Sequence, residues 1–234
     1  MTYLYLFQIG PVQAYITAAR RTQDLYVGSR LLSLLSSAGI EAASANEAEL
    51  IFPVKLEDGT LPRSVPHRFV FLSDSDPDVL ALRVSEAVHQ RWADIHNAVR
   101  YYVTDRIGDG PWQAQFDRQV ASWLELFWVA VRYDAEDHGA SYSEASRAMA
   151  MRRQARPFAP VDEPGPKCSL TGAQSALSLN WDHLARQIGD TNRIVLRQNE
   201  ELGSIALIKR LAQFCYPALR EEDEQGNGYL LRFP

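Results

Sequence analysis

One stretch near the start of the sequence, residues 8–33, combines residue types that could bind an anionic ligand. It reads QIGPVQAYITAARRTQDLYVGSRLLS. The Gly-Pro pair predicts a helix that begins at the end of a strand, and the free N–H groups of a helix N-terminus favour an anion. The later Gly-Ser-Arg offers a close backbone approach, a hydroxyl and a guanidinium that could face phosphates. The alternative is a kinked pair of helices with solvated arginines. The candidate anion-binding residues of this stretch are Gly10, Pro11, Gly28, Ser29 and Arg30.

A second stretch, SVPHRF at residues 64–69, places a histidine and an arginine at the start of a predicted strand. Its proline fixes the chain just before the strand begins. His67 and Arg68 would therefore emerge at the strand entry, where they could meet a ligand. The alternative is an ordinary turn that leads into a strand.

A third stretch, SRAMAMRRQARPF at residues 146–158, concentrates four positive charges in an otherwise acidic protein. Guanidinium clusters of this kind suit phosphates or the carboxylates of a partner. A solvated helix face is the alternative, but no acidic residue interrupts the cluster. Arg152 and Arg156 share one helical face at i, i+4 spacing. The candidate residues are Arg147, Arg152, Arg153 and Arg156.

No pattern in the sequence predicts catalytic residues. The nucleophile elbow, the zinc-protease helix motif, the Walker loop and the Rossmann glycines are all lacking. Cys168 stands in KCSLTG, which would be half of a zinc knuckle if Thr171 were a cysteine. We therefore expect no zinc and predict no other metal ligands.

The composition describes a globular protein without an excess of positive charge. The chain has 234 residues, of which 46% are hydrophobic, and a formal net charge of −5. That charge argues against nucleic acid covering the whole surface, but it allows a local basic patch. Two cysteines and no secretory leader predict a reducing, cytoplasmic setting, and no apolar run is long enough for a membrane span.

The elements that would position these residues follow an α+β pattern. Residues 1–133 are predicted to form strand, helix, strand, strand, helix and strand, which is the ferredoxin-like (βαββαβ) order. The first strand is apolar on both faces, as in an interior strand. Gly39 is interpreted as a helix stop. We predict a ferredoxin-like domain at residues 1–135, followed by a mainly helical region at residues 136–234.

The sequence resembles the first palm domain of the large polymerase/cyclase-like subunit of type III-B CRISPR effector complexes. The opening motif IGPVQAYITAARRTQDLYVGSRLLS and KCSLTG carry most of this resemblance. LIFP, SVPHRF, RRQARPF and LGSIALIKRL follow in the same order as in the family, and they extend the likeness along nearly the whole chain. The family usually has asparagine where His67 stands.

The resemblance implies a non-catalytic palm that forms one wall of an ATP pocket used for cyclic oligoadenylate synthesis. ATP with Mg²⁺ would be shared with a catalytic palm. The partners would be that palm, the other effector subunits and, through them, guide and target RNA, with no membrane. The nucleotide-binding residues would be Gly10, Pro11, Gly28, Ser29, Arg30, His67 and Arg68, and the arginine-rich stretch would bind RNA or a partner.

Two departures from the family limit the expected activity. The chain lacks the HD nuclease-like domain and the Gly-Gly-Asp-Asp motif of the catalytic palm. Metal-assisted phosphoryl transfer requires carboxylates fixed near the triphosphate. We therefore expect no enzymatic activity from this chain alone. The alternatives are an RNA- or protein-binding scaffold without a nucleotide site, and a self-sufficient homodimeric nucleotidyltransferase.

Overall fold

A computed structural model describes residues 1–155, 163–189, 195–197, 199–219, 221–222 and 228–229 of the chain. The chain groups into two compact units that alternate along the sequence. Unit 1 comprises Met1–Val12, Leu32–Trp92 and Leu124–Pro160, and unit 2 comprises Gln13–Leu31, Ala93–Trp123 and Val161–Pro234. The predicted division at residue 135 stays a prediction.

Unit 1 contains a four-stranded antiparallel sheet. Its strands are β1 (Tyr3–Gly10), β2 (Glu49–Phe52), β3 (Arg68–Ser73) and β4 (Glu125–Arg132), in the spatial order β2-β3-β1-β4. β3 lies between β1 and β2, and β1 lies between β3 and β4. This is the order of a split βαβ fold. The α+β class and the ferredoxin-like strand order are therefore confirmed.

One face of the sheet is aromatic and packs against α2 (Thr22–Ala45). The rings of Phe7 and Phe69 stack with centroids 5.2 Å apart. Gly39 lies inside α2, so its interpretation as a helix stop is wrong. A Cβ atom at Gly39 would lie 2.7 Å from Cζ of Phe69. The glycine is needed because the helix backbone approaches the phenylalanine ring so closely.

The other face of the sheet is covered by α5 (His138–Gln154). Asp137 caps this helix by accepting a hydrogen bond from the N–H of Ala140. The apolar side of the helix buries Ala145 and Met149 against a cluster of aliphatic strand residues. That cluster comprises Leu4, Leu6, Val70, Leu72 and Val131.

The remaining helices agree closely with the sequence pattern, with one exception. The longest is α3 (Pro77–Ile107), and the shorter helices are α4 (Trp112–Ala121), α6 (Trp181–Ile188) and α7 (Ser204–Cys215). The helix expected to begin at Gly10-Pro11 is only the five-residue α1 (Gln13–Thr17). A 3-10 turn at Pro217–Leu219 and two short paired strands, β5 (Glu221–Glu222) and β6 (Gly228–Tyr229), follow α7.

The core of unit 2 is built around α7. Every residue from Ser204 to Gln213 is buried, as in a helix surrounded on all sides. Gln119, a buried residue of α4, accepts hydrogen bonds at the N-terminus of this helix. Both the N–H and the hydroxyl of Ser204 donate to Oε1 of Gln119, each at 2.8 Å. Among the described residues, no helix combines the length and apolar composition needed to cross a bilayer.

Candidate functional site

Several predicted ligand-binding residues lie at one end of the sheet in unit 1. β1 ends at Gly10 and β3 begins at Arg68, and these two strands are antiparallel neighbours. The N–H of Ile9 donates to the carbonyl oxygen of His67 at 2.8 Å, which fixes the backbone just before β3. The strand pairing therefore places Gly10, Pro11, His67 and Arg68 at the same end of the sheet.

Arg68 is held in place by a neutral partner. Its Nη2 donates to Oε1 of Gln8 at 2.7 Å, and Gln8 is its register partner on β1. An amide orients the guanidinium without cancelling its charge. Arg68 thus presents a positioned positive charge at this end of the sheet.

His67 experiences two positive charges that come from different parts of the sequence. Burial lowers the pKa of its imidazole, and the charges of Arg68 and Arg153 lower it further. Arg153 lies in the last turn of α5, which runs back across the sheet after β4. The second and third stretches predicted from the sequence are therefore brought together. We call His67, Arg68 and Arg153 the cationic cluster.

The surroundings of Gly10 are different, because a carboxylate lies beside it. Glu125 is the register partner of Gly10, and its Oε2 would lie 3.2 Å from a Cβ atom at that position. An anion at Gly10 itself would have to approach this carboxylate. α1 is a single short turn of helix, so the expected anion site at its N-terminus receives no support from the helix dipole of a long helix.

Gly28, Ser29 and Arg30 belong to unit 2, in the N-terminal half of α2. Gly28 is buried, and a Cβ atom there would lie 3.0 Å from Cε of Lys209. Ser29 is exposed and Arg30 is half-buried. The close approach that the glycine permits is thus to a lysine of α7. Nucleotide binding by these three residues stays a prediction.

Lys209 joins the opening motif to α7. Its buried ammonium donates to the carbonyl oxygens of Tyr15 and Ala18, and it lies 4.4 Å from the centroid of the Tyr15 ring. Burial lowers the pKa of Lys209 to about 8. Two carbonyl groups and an aromatic face together stabilise the charged amine.

The next residue, Arg210, explains why the opening motif contains an aspartate. Arg210 is 1% exposed, and its Nε and Nη2 donate to the two carboxylate oxygens of Asp24 at 2.8 and 3.0 Å. Its remaining N–H groups reach Glu200, at 2.8 and 3.1 Å, and the carbonyl of Val195 at 3.0 Å. All five N–H donors of the guanidinium are therefore used.

Arg21 completes this buried ion cluster. Its Nη1 donates to the carbonyl of Val195 at 3.0 Å, and its Nη2 lies 3.8 Å from Oε2 of Glu200. Burial lowers the pKa of Arg21, and the charge of Arg210 lowers it further. Burial alone would raise the pKa of Glu200, but hydrogen bonds from Arg210 and from the Arg197 N–H hold it below its usual range. The opening motif thus has a structural role in unit 2.

Asp24, Glu200 and Arg210 were not among the residues singled out in the sequence. The sequence feature that could have indicated a buried ion cluster is the pair Lys209-Arg210 inside the apolar run SIALIKRLAQF. Two adjacent cations in a helix that is otherwise apolar must find buried partners.

The arginine-rich stretch lies on the exposed side of α5. Arg147, Arg152 and Arg153 are exposed, whereas Arg156 lies outside the described residues. KCSLTG forms a tight turn in which the N–H of Gly172 donates to the carbonyl of Cys168. Among the described residues, no three histidine, cysteine or acidic side chains gather as metal ligands. Binding of RNA or a partner by these arginines stays a prediction.

The comparisons with known proteins agree with the fold. Residues 4–97 match the family model described as CRISPR-associated protein Cmr2, N-terminal. The structure is similar to a chain in a cryo-EM structure of the type III-B Cmr-beta bound to cognate target RNA, with a TM-score of 0.59 and 14% sequence identity. The match covers 90% of this chain and 32% of the other. No curated protein matches the chain.

The fold defines an α+β protein with a ferredoxin-like sheet. Residues 4–97 are Cmr2-like, and together with the fold likeness to a type III-B chain this match confirms the resemblance found in the sequence. The chain spans about a third of the length of the large chain that it matches.

The cationic cluster predicts a measurable effect on the titration of His67. We expect the pKa of His67 to lie below 6.5 and to rise in Arg153→Gln, because a positive charge near the imidazole is removed. Because the pKa of His67 is higher in the unfolded chain than in the folded chain, the unfolded chain binds a proton at this imidazole at a higher pH. The free energy of unfolding should therefore fall as the pH drops through about 6.5. NMR titration of the imidazole resonances would measure the pKa.

Arg147→Gln provides the matched control for this titration. Arg147 is another exposed arginine of α5, and its charge is not among the causes of the His67 shift. An equal rise of the pKa in both variants would show that Arg153 does not act specifically on His67.

Proposed function

We propose that this chain is the non-catalytic palm of a type III-B CRISPR effector large subunit. In this role it forms one wall of an ATP–Mg²⁺ pocket used for cyclic oligoadenylate synthesis, and a catalytic palm supplies the metal-binding carboxylates. The chain also assembles with other effector subunits and, through them, with guide and target RNA. The family match over residues 4–97 and the fold likeness to a chain of an RNA-bound Cmr complex support this assignment.

The observation that carries the nucleotide proposal is the cationic cluster. Arg68 is oriented by the neutral Gln8, and the charge of Arg153 reaches His67 from a different element. Guanidinium groups from two elements, whose charges both act on His67, suit phosphate oxygens. A bound phosphate would raise the pKa of His67 and add a third cation to the site.

The test is a titration of ATP with Mg²⁺, performed with this chain alone and with a protein that carries the catalytic palm. Saturable binding in the mixture is expected. The double variant Arg68→Gln/Arg153→Gln should weaken that binding by about tenfold or more, because two charge-assisted hydrogen bonds are lost. Calorimetry would measure both affinities.

The matched control for this titration is Arg118→Gln/Arg132→Gln, which removes two exposed charges elsewhere. Equal ATP binding by wild type, test and control mixtures would reject the cationic cluster as the nucleotide site. If the two proteins associate but never bind ATP, the chain is a scaffold. ATP turnover by this chain alone would instead establish a self-sufficient nucleotidyltransferase.

A further inference from the structure

Unit 2 contains a cavity that the proposed function does not use. Its volume is about 570 Å³, which lies within the range of small-molecule sites, roughly 300–1,000 Å³. One wall is α6, and the other is the segment that leads to α7. The side chains that matter for binding are Trp181, Asp182, Arg186, Arg197, Asn199 and Glu201.

The helical wall is held in position by hydrogen bonds on both sides of Trp181. Nε1 of Trp181 donates to the carbonyl of Leu177 at 3.2 Å, which orients the indole. Asn180 caps α6 by accepting from the N–H of His183 at 2.9 Å. The N–H of Leu177 donates to the carbonyl of Leu202 at 2.9 Å, and this bond ties the two walls together.

The second wall is fixed by the buried ion cluster and by KCSLTG. The N–H of Arg197 donates to Oε2 of Glu200, and the same carboxylate is bound by Arg210. The N–H and the hydroxyl of Ser169 both donate to the carbonyl of Glu201, at 2.8 and 2.9 Å. The cavity wall is therefore built before any ligand arrives, which lowers the entropic cost of binding.

The cavity contains charges of both signs. Within the part of the chain that the structure describes, the guanidinium groups of Arg186 and Arg197 form no ion pair within 4.0 Å. Both are exposed, and the cavity also contains the carboxylates of Asp182 and Glu201. A simple anion would meet repulsion from these carboxylates. In a ligand that carries a phosphate and neutral hydrogen-bond donors, the phosphate could bind the arginines and the donors could bind the carboxylates.

We propose that this cavity binds a nucleoside phosphate. The base packs on Trp181, the phosphate binds Arg186 and Arg197, and a carboxylate accepts from ribose hydroxyls or an exocyclic amine. Base–aromatic stacking and charge-assisted bonds to guanidinium are the interactions that nucleotides offer. The proposal concerns α6 with the residue before it, and Arg197, Asn199 and Glu201; it does not depend on the cationic cluster.

The test is calorimetric titration of this chain with AMP, adenosine, ribose 5-phosphate and inorganic phosphate. AMP should bind more tightly than each fragment by about tenfold or more, because only AMP engages both the indole and the arginines. Arg186→Gln and Arg197→Gln should each weaken AMP binding by about tenfold, and Trp181→Leu should weaken it by a similar factor. Circular dichroism would show that the variants fold.

Two comparisons make the test decisive. Arg118→Gln removes an exposed arginine of unit 2 from α4 and should leave AMP binding unchanged. If Arg68→Gln/Arg153→Gln weakens AMP binding and Arg186→Gln does not, AMP binds at the ATP site proposed for unit 1 and this proposal is overturned. The proposal is overturned if AMP does not bind at millimolar concentration, or if phosphate alone binds as tightly as AMP.

Discussion

Replacing Arg210 with methionine is expected to lower the free energy of unfolding by about 3–5 kcal/mol, because the change leaves two buried carboxylates without their main partner. Asp24 is 1% exposed and Glu200 is 5% exposed. After the substitution, Nη2 of Arg21 still lies 3.8 Å from Oε2 of Glu200. Urea unfolding followed by circular dichroism would measure the loss.

Two variants control this experiment. Arg210→Lys keeps the charge but cannot make the paired bonds to both carboxylates, so it should recover only part of the stability. Glu41→Gln breaks the exposed pair with Arg91, whose atoms are 3.6 Å apart, and should change the stability by less than about 1 kcal/mol. A small loss in Arg210→Met, comparable to that of Glu41→Gln, would contradict the buried ion cluster.

Much of the secondary structure could be predicted because local patterns determine it. The second helix of the predicted βαββαβ order is α3 (Pro77–Ile107), whose buried residues recur at helical spacing. The apolar residues on both faces of β1 predicted an inner strand, and β1 indeed lies between β3 and β4. These features depend on residues that are close in sequence.

The ion cluster could not be predicted, since its members are distant in sequence. Asp24 and Arg210 are 186 residues apart. The sequence of the opening motif therefore does not reveal that Arg21 and Asp24 bind buried groups of unit 2. A single sequence shows that a charge needs a partner, but it does not show which residue is the partner.

The cationic cluster was predicted only as separate parts. His67 and Arg68 were proposed because they begin a strand, and Arg153 because it belongs to a run of arginines. The path of α5 back across the sheet brings the charge of Arg153 to His67. That path depends on Ala145 and Met149 packing on the strands, which is a tertiary effect.

A glycine in a helical sequence pattern can have either of two structural roles, as Gly39 shows. Glycine often ends a helix, and it also permits a close approach between a helix and its neighbour. The two roles differ only in what packs against the glycine. At Gly39, the neighbouring side chains of Phe69 in β3 and Val88 in α3 determine that the glycine has the packing role.

Replacing Gly39 with valine is expected to lower the free energy of unfolding by about 3 kcal/mol, the upper end of the usual cost of overpacking. The new Cβ would lie 2.7 Å from Cζ of Phe69 and 3.1 Å from Cγ2 of Val88. Phe69 cannot move away easily, because its ring stacks on Phe7 at an interplanar angle of 4°. Thermal and urea unfolding would measure the loss.

Gly139→Val is the matched control, because Gly139 is an exposed helical glycine whose nearest neighbour to a new Cβ is 3.6 Å away. Valine there should change the stability by no more than about 0.5 kcal/mol. Because the two residues are in contact, the double variant Gly39→Val/Phe69→Leu should lose less stability than the sum of the losses in the two single variants. If Gly39→Val were as stable as Gly139→Val, α2 could not lie against Phe69, and the glycine would have no packing role.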